Sequence, residues 1–243
     1  MSTILAIETS TEIASVALLH DGKLWRQAAS GVQNHSLSVL PMVQILLQQA
    51  NLTLADCSAI AFGAGPGSFT GVRTACGLAQ GLAFGLNLPV LPISTLLALA
   101  QAYREQAGVA SVMPILDARM GEVYWARYLF DQVEQVWHEI VAPTLSKPMD
   151  VCLDVNLGDV AMCGNGALLC AAALLKQTEK TNQADQADQA AQPILPDAAQ
   201  IAQLGALAFA AGLGLDAALA QPVYLRNKVA QTTAERLQIK AAL

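Results

Sequence analysis

Apolar residues come first in short runs and later in long, helix-spaced stretches. Ile4-Leu5-Ala6-Ile7 closes on the polar Glu8-Thr9-Ser10-Thr11, the pattern of a buried strand ending in a turn. Ala14 to His20 and Lys23 to Ala29 read as two more strands, joined by Asp21-Gly22 as a two-residue hairpin loop. The spacing then predicts a helix from about Ser38 to Ala50, with Pro41 tolerable only near its start, where N–H groups lack intrahelical acceptors. On a helical wheel, Val39, Leu40, Met42, Val43, Ile45, Leu46 and Leu47 cover an arc of roughly 220°, whereas a surface helix needs a stripe only somewhat wider than ~100°. The excess predicts burial on two sides, one against a sheet and the other against a partner or another part of the chain.

The next stretch organises the rest. Ala59-Ile60-Ala61-Phe62 leads into Gly63-Ala64-Gly65-Pro66-Gly67-Ser68-Phe69-Thr70-Gly71-Val72-Arg73, a tight strand-to-helix turn, and then a small-residue helix from Thr74 to Gly85. Such a turn aims backbone N–H groups and the positive end of a helix dipole at whatever lies above it, often a phosphate. Gly71, Ala75, Gly77, Ala79, Gly81 and Ala83 make the helix thin, at roughly 1 kcal/mol of helix propensity per glycine. A thin helix fits close backbone approach, to its own sheet or to a partner.

Pro89 to Ile93 is a further strand and Ser94 to about Gln106 a helix, closing a first lobe at residues 1–106. A β-rich second lobe at 107–220 follows, with strands at Val112–Asp117, Glu122–Phe130, Gln135–Val141 and Val160–Cys163, a helix through Lys176, and another from about Asp197 to Ala211. Residues 178–192 repeat Ala-Asp-Gln and cannot form a core, so they read as a surface insertion. Residues 221–243 form an irregular tail. Strand, turn, strand, hairpin, strand and then helix fits the opening of an actin-like ATPase domain, where the first turn carries an acid and hydroxyls that face phosphate and metal; here it offers Glu8, Thr9 and Ser10, with an ordinary polar turn as the alternative.

The chain of 243 residues can bury a real core, and with 54% apolar and 13% charged residues it is poor in charge for a lone monomer. No apolar run reaches the ~18 residues that span a bilayer, and no signal peptide is visible, so a cytoplasmic protein is expected. A net charge of −6 opposes strong nucleic-acid binding by this chain alone. Cys57, Cys76, Cys152, Cys163 and Cys170 show no CxxC spacing and read as reduced, mostly buried thiols.

No catalytic set emerges. A P-loop needs Gly-Lys-Ser/Thr at its end, yet no lysine lies between Lys23 and Lys147. The dinucleotide pattern fails because Ser68 and Thr70 stand where the third glycine is needed. Pro66 and Thr70 flank Ser68 where a nucleophile elbow has glycines. None of His20, His35 and His138 has a His, Cys or carboxylate three or four residues onward, so no metal site is expected. His35 reads as a cap or interface residue. Asp117, Arg119 and Glu122 could supply acid and base, although a local ion-pair set on strand ends is the plainer reading.

Several of these motifs together resemble one family. Ile7-Glu8-Thr9-Ser10, Asn34-His35-Ser36 through Leu40-Pro41, Gly65 to Arg73, Asp117-Ala118-Arg119-Met120-Gly121-Glu122-Val123-Tyr124 and the tail Tyr224-Leu225-Arg226 all look like TsaB (YeaZ), in the expected order. The resemblance implies a two-lobed α/β fold of the actin-like ATPase type, a degenerate paralogue of TsaD, and a role in making the tRNA nucleoside threonylcarbamoyladenosine. It implies a non-catalytic scaffold or activator with no cofactor, acting with a TsaD-like transferase and a TsaE-like ATPase, touching tRNA only indirectly, and self-pairing when alone. TsaD holds a metal on two histidines, and the corresponding positions here are Thr95 and Leu99. The family's pairing through its first two helices would place His35, Val39, Leu40, Val43, Leu46, Leu47, Arg73, Cys76 and Gln80 at the interface. Glu8, Thr9, Ser10, Gly65, Gly67, Ser68, Thr70 and Gly71 would then be the vestige of a nucleotide site. The rival readings are an ATPase or kinase using those turns and a glycoprotease-like metallopeptidase.

Overall fold

A computed structural model describes residues 2–31, 35–154, 160–178 and 194–226. Residues 3–65 begin a mixed sheet: β1 (Thr3–Glu8), β2 (Ile13–His20) and β3 (Lys23–Ser30) form an antiparallel meander, with Asp21 and Gly22 both at positive φ in the hairpin loop. After α1 (His35–Ala50), β4 (Ala59–Gly65) joins β1 in parallel, with Ile7 opposite Phe62. Next come α2 (Phe69–Leu86) and β5 (Val90–Ser94), which pairs in parallel with β4 and completes the order β3-β2-β1-β4-β5.

Alternation along β1 divides two cores. Leu5 and Ile7 face α1 and α2, together with Val16, Leu18, Ile60 and Phe62. Ile4 and Ala6 face the other side, where α3 (Thr95–Ala107) and α6 (Ala198–Ala210) pack. The second sheet has the order β8-β7-β6-β9, from β6 (Ser111–Arg119), β7 (Glu122–Asp131), β8 (Val136–Ser146) and β9 (Ala161–Cys163). One face is covered by α4 (Pro148–Asp154) and α5 (Ala167–Thr178), around Met113, Ile115, Val123 and Trp125. The other receives Leu96, Leu99 and Ala100 of α3, so α3 serves both lobes. Two mixed sheets with a helix shared between them give a two-lobed α/β arrangement.

Three expectations change. The second lobe does not run unbroken to residue 220: α6 returns to the first sheet, where Ala198, Ile201, Ala202 and Leu204 fill its core, and Ala217 and Ala220 enter the core beneath α2. An apolar helix late in the chain carries no mark of which sheet it covers. α1 starts a turn earlier than predicted, at His35, which leaves Pro41 inside it rather than near its start. β8 runs to Ser146 through register shifts, and α4 was not foreseen. Asn34, the 178–192 insertion beyond Thr178 and the tail after Arg226 lie outside the described residues. Among the described residues, no helix is long and apolar enough to cross a membrane.

Candidate functional site

The glycine turn is where the sequence points most strongly, and its geometry decides what it can hold. β4 ends at Gly65, with φ +102°, followed by a cis Gly65–Pro66 bond. Ser68 caps α2, its hydroxyl accepting from the Gly71 N–H at 3.4 Å. The space above the turn is filled by the end of β1. A Cβ on Gly63 would lie 1.8 Å from Glu8 Oε2, one on Gly67 2.5 Å from Ser10 Cβ, and one on Gly71 1.9 Å from the Thr9 carbonyl oxygen. These glycines are needed so that two turns of the same chain can interlock.

Hydrogen bonds fix the interlock. The Ser68 N–H donates to the Ser10 carbonyl at 2.7 Å, and the Thr9 hydroxyl donates to the Gly71 carbonyl at 2.7 Å. The Gly65 N–H donates to Thr95 Oγ1 at 3.1 Å, and that hydroxyl lies 3.4 Å from Glu8 Oε2. The Ser10 N–H donates to the other carboxyl oxygen of Glu8. Glu8 is completely buried, and this burial pushes its carboxyl above the ordinary range, against hydrogen bonds from Ser10 and Thr95. Several groups that would face a phosphate are therefore already engaged within the chain.

Thr95 and Leu99, the positions that the resemblance sets against metal-binding histidines, have structural roles here. Thr95 joins the interlock, and Leu99 is fully buried in the core between α3 and the second sheet. Neither side chain offers an imidazole. One possible ligand cluster lies behind a histidine rather than ahead of it, with Glu134 four residues before His138. Asp131, Glu134 and His138 bring one ligand atom each within 4.8 Å of one another at the β7–β8 turn. It is largely exposed, and Asp131 already accepts from the N–H groups of Val133 at 2.7 Å and Glu134 at 3.0 Å, as a turn cap does. Cys57, Cys76, Cys163 and Cys170 are buried, and burial pushes the Cys57 thiol up to about 11, which opposes a thiolate nucleophile.

The predicted interface residues divide. Val39, Val43, Leu46, Leu47 and Cys76 are buried in the chain's own core against the first sheet, so no partner can touch them there; this corrects their assignment. His35 is buried with Nε2 3.3 Å from the Glu12 carbonyl oxygen, tying the start of α1 to the β1–β2 turn. The Gln80 amide donates to the carbonyls of Ala217 and Ala220, both at 3.1 Å, and so holds a returning loop. Leu40 and Arg73 do face outward.

Helical spacing fixed the apolar content of α1 and α2 without fixing which face met the sheet. The outer side of α1 carries Leu37 (73% exposed), Leu40 and Ile45. On α2, Ala75, Ala79 and Ala83 face the sheet, whereas Gly77, Gly81 and Gly85 point outward with nothing within 4 Å of a built Cβ. Phe84, 78% exposed, stands beside them. The four-residue glycine spacing was present in the sequence and is the signal that locates this face.

The start of α2 binds the tail. Arg73 lies with its guanidinium 3.6 Å over the Phe69 ring, and its Nε donates to the Tyr224 hydroxyl at 2.7 Å. Asp117, Arg119 and Glu122 do form a local polar set: Asp117 accepts from the Arg119 N–H at 2.7 Å, and Glu122 pairs with Arg226. The last partner could not be inferred from spacing, because it comes from the far end of the chain.

Comparison with known proteins agrees with this arrangement. The family model described as TsaD, tRNA N6-adenosine threonylcarbamoyltransferase, matches residues 26–234. The tRNA threonylcarbamoyladenosine biosynthesis protein TsaB of Haemophilus influenzae is 36% identical over 93% of this chain and 94% of its own length. That of Escherichia coli is 46% identical over 60% of this chain, a match spanning 62% of the relative. The structure of YeaZ from Pseudomonas aeruginosa is 39% identical and superposes with a TM-score of 0.79, covering 93% of this chain and 100% of that one. A second Pseudomonas aeruginosa structure, described as similar to the peptidase YeaZ, has the same identity and coverage and a TM-score of 0.80. With a relative 36% identical over 94% of its length and two solved structures covered throughout, the chain belongs to the TsaB (YeaZ) family.

Proposed function

We propose that this chain is a non-catalytic subunit in the formation of tRNA threonylcarbamoyladenosine, acting in the cytosol by holding a TsaD-like transferase, with a TsaE-like ATPase as a further partner. The observation that carries this reading is the bare outer face of α2. Gly77, Gly81 and Gly85 leave open space where side chains would stand, beside exposed Phe84, and the adjacent helix α1 exposes Leu37, Leu40 and Ile45. Glycines four apart let a second helix approach at backbone distance, and the apolar rim supplies area to bury at about 25 cal/mol per Å². The same face serves self-pairing when the partner is absent. Arg73 and Leu40 remain at this interface; the inward-facing residues support it from beneath. With a net charge of −6, contact with tRNA is indirect.

The absence of a role in chemistry rests on the filled glycine turn and on Thr95 and Leu99 at the metal-ligand positions. Gly81→Leu, which places bulk on the exposed face without touching the core, tests the reading. It should fold as the parent does, fail to co-purify with the TsaD-like partner and fail to support modification in a reconstituted system. Retained co-purification and full modification would refute the interface. Titration calorimetry of the isolated chain with ATP and Mg²⁺ separates the scaffold from an ATPase, since tight binding with turnover would overturn a non-catalytic role.

A further inference from the structure

Residues 221–226 have no regular secondary structure, yet the last four, Val223 to Arg226, are each held. The Val223 N–H donates to the Ala64 carbonyl at 2.7 Å, and the Val223 carbonyl lies 3.1 Å from the place a Cβ would take on Gly65. Tyr224 packs on Phe69 with ring centroids 5.8 Å apart and receives the Arg73 hydrogen bond. All of these contacts belong to the first lobe. Leu225 packs into the core of the second sheet, and Arg226 docks on the β6–β7 hairpin. Its guanidinium donates to the carbonyls of Ala118 at 3.0 Å and Arg119 at 3.3 Å and pairs with the Glu122 carboxylate.

The hairpin is shaped for this docking. Arg119 and Met120 both have positive φ, 64° and 58°, a conformation that costs a non-glycine residue about 1 kcal/mol or more. The Asp117 side chain caps the Arg119 N–H, and the bent backbone presents two successive carbonyls to one guanidinium. The Arg226 side chain is only 14% exposed, so its pairing is better shielded from solvent and salt than a surface ion pair.

We propose that residues 221–226 act as a clasp between the lobes, with Arg226 as its pin, so that the interlobe angle and the mouth of the glycine turn are fixed together. The segment opens as a unit. Loss of the pin in the second lobe frees Val223 and Tyr224 in the first, and the two sheets then hinge about α3.

Amide exchange followed by NMR reads this at one bond, the Val223 N–H. Arg226→Ala should speed its exchange about tenfold to hundredfold, the range expected for loss of a charge-assisted hydrogen bond. Arg73→Ala should speed the same amide. Glu122→Gln keeps the side-chain shape and should give a smaller acceleration, which provides a test should Arg226→Ala fold poorly. Spin labels at Gln48→Cys and Gln132→Cys, one on each lobe, should show a broader distance distribution in Arg226→Ala and Glu122→Gln than in the parent. If exchange at Val223 is unchanged by both Arg226→Ala and Glu122→Gln, or the label distances stay as narrow as in the parent, the clasp is overturned.

Discussion

Gly71→Ala is a single methyl group and should be among the most damaging small changes in this chain. The added Cβ would sit 1.9 Å from the Thr9 carbonyl oxygen and 2.9 Å from the Thr9 carbonyl carbon. A carbon and a carbonyl oxygen need about 3.3–3.6 Å, so α2 and the end of β1 must part by more than an ångström. Both offending atoms are backbone, and neither can swing aside. Overpacking of this kind costs typically 1–3 kcal/mol, and parting the turns also loosens the Thr9–Gly71 hydrogen bond, worth about 1 kcal/mol net. The better helix propensity of alanine returns up to about 1 kcal/mol. The balance is a loss of about 1–3 kcal/mol, or roughly 2–12 °C in Tm for a chain of this size. Gly77→Ala is the control, because nothing lies within 4 Å of its Cβ and the same propensity gain is unopposed. It should gain about 0.5–1 kcal/mol. Urea unfolding followed by circular dichroism measures both. Equal stability of Gly71→Ala and the parent would mean that the two turns do not interlock; a destabilised Gly77→Ala would mean that some part of this chain covers α2.

The charge-reversal logic depends on facing. Leu46→Glu buries a carboxylate in the core under α1 and should cost several kcal/mol, about 4 or more, whereas Ile45→Glu on the outer face should stay within about 0.5 kcal/mol yet weaken partner capture; thermal unfolding beside co-purification distinguishes them, and a stable Leu46→Glu would contradict the packing of α1. Glu8 sets a pH dependence. Its folded-state value is raised above the ordinary 4.5, so the folded chain holds a proton that the unfolded chain has released, and stability falls as pH rises above about 4.5 until the raised value is passed. The slope from this group is at most about 1.4 kcal/mol per pH unit, and Glu8→Gln should remove it; a stability difference between Glu8→Gln and the parent that is constant from pH 4.5 to 8 would show that burial does not shift this carboxyl.

The first sheet was legible because its signals are local. Alternation, the Asp21-Gly22 loop and the polar Glu8–Ser10 turn each lie within a few residues and place β1, β2 and β3 closely. The features that escaped depend on residues far apart. Nothing in Ala198–Ala210 reports that it packs on β1 rather than on the nearer second sheet. Nothing near Glu122 reports Arg226, 104 residues away. The apolar arc on α1 is wide enough for two faces, but a wheel gives width without direction, so Val39, Val43, Leu46 and Leu47 of the inner face stood beside the outward Leu40 in the expected interface. Burial assigns that direction: Val39, Val43 and Leu46 go inward, Leu37, Leu40 and Ile45 outward.

The same physical constraint explains how a turn shaped like a phosphate cradle is filled by its own chain. In a nucleotide-binding turn, glycines clear room for ligand oxygens and leave N–H groups free to meet them. Here the room above Gly67 and Gly71 is taken by Ser10 and Thr9, and Ser68 N–H and Gly65 N–H find acceptors inside the chain. The glycines are therefore as necessary as in a binding turn, for an intramolecular reason. The outward glycines of α2 differ, because among the described residues no atom lies within 4 Å of a Cβ placed on them. Three of them weaken the helix by about 1 kcal/mol each relative to alanine, out of a net stability on the order of 5–15 kcal/mol. On the proposed reading, a partner helix packing against Gly77, Gly81 and Gly85 offsets that deficit. The interlock fixes where α2 begins and how it is turned, and so decides that these glycines, rather than Ala75, Ala79 and Ala83, are the ones presented.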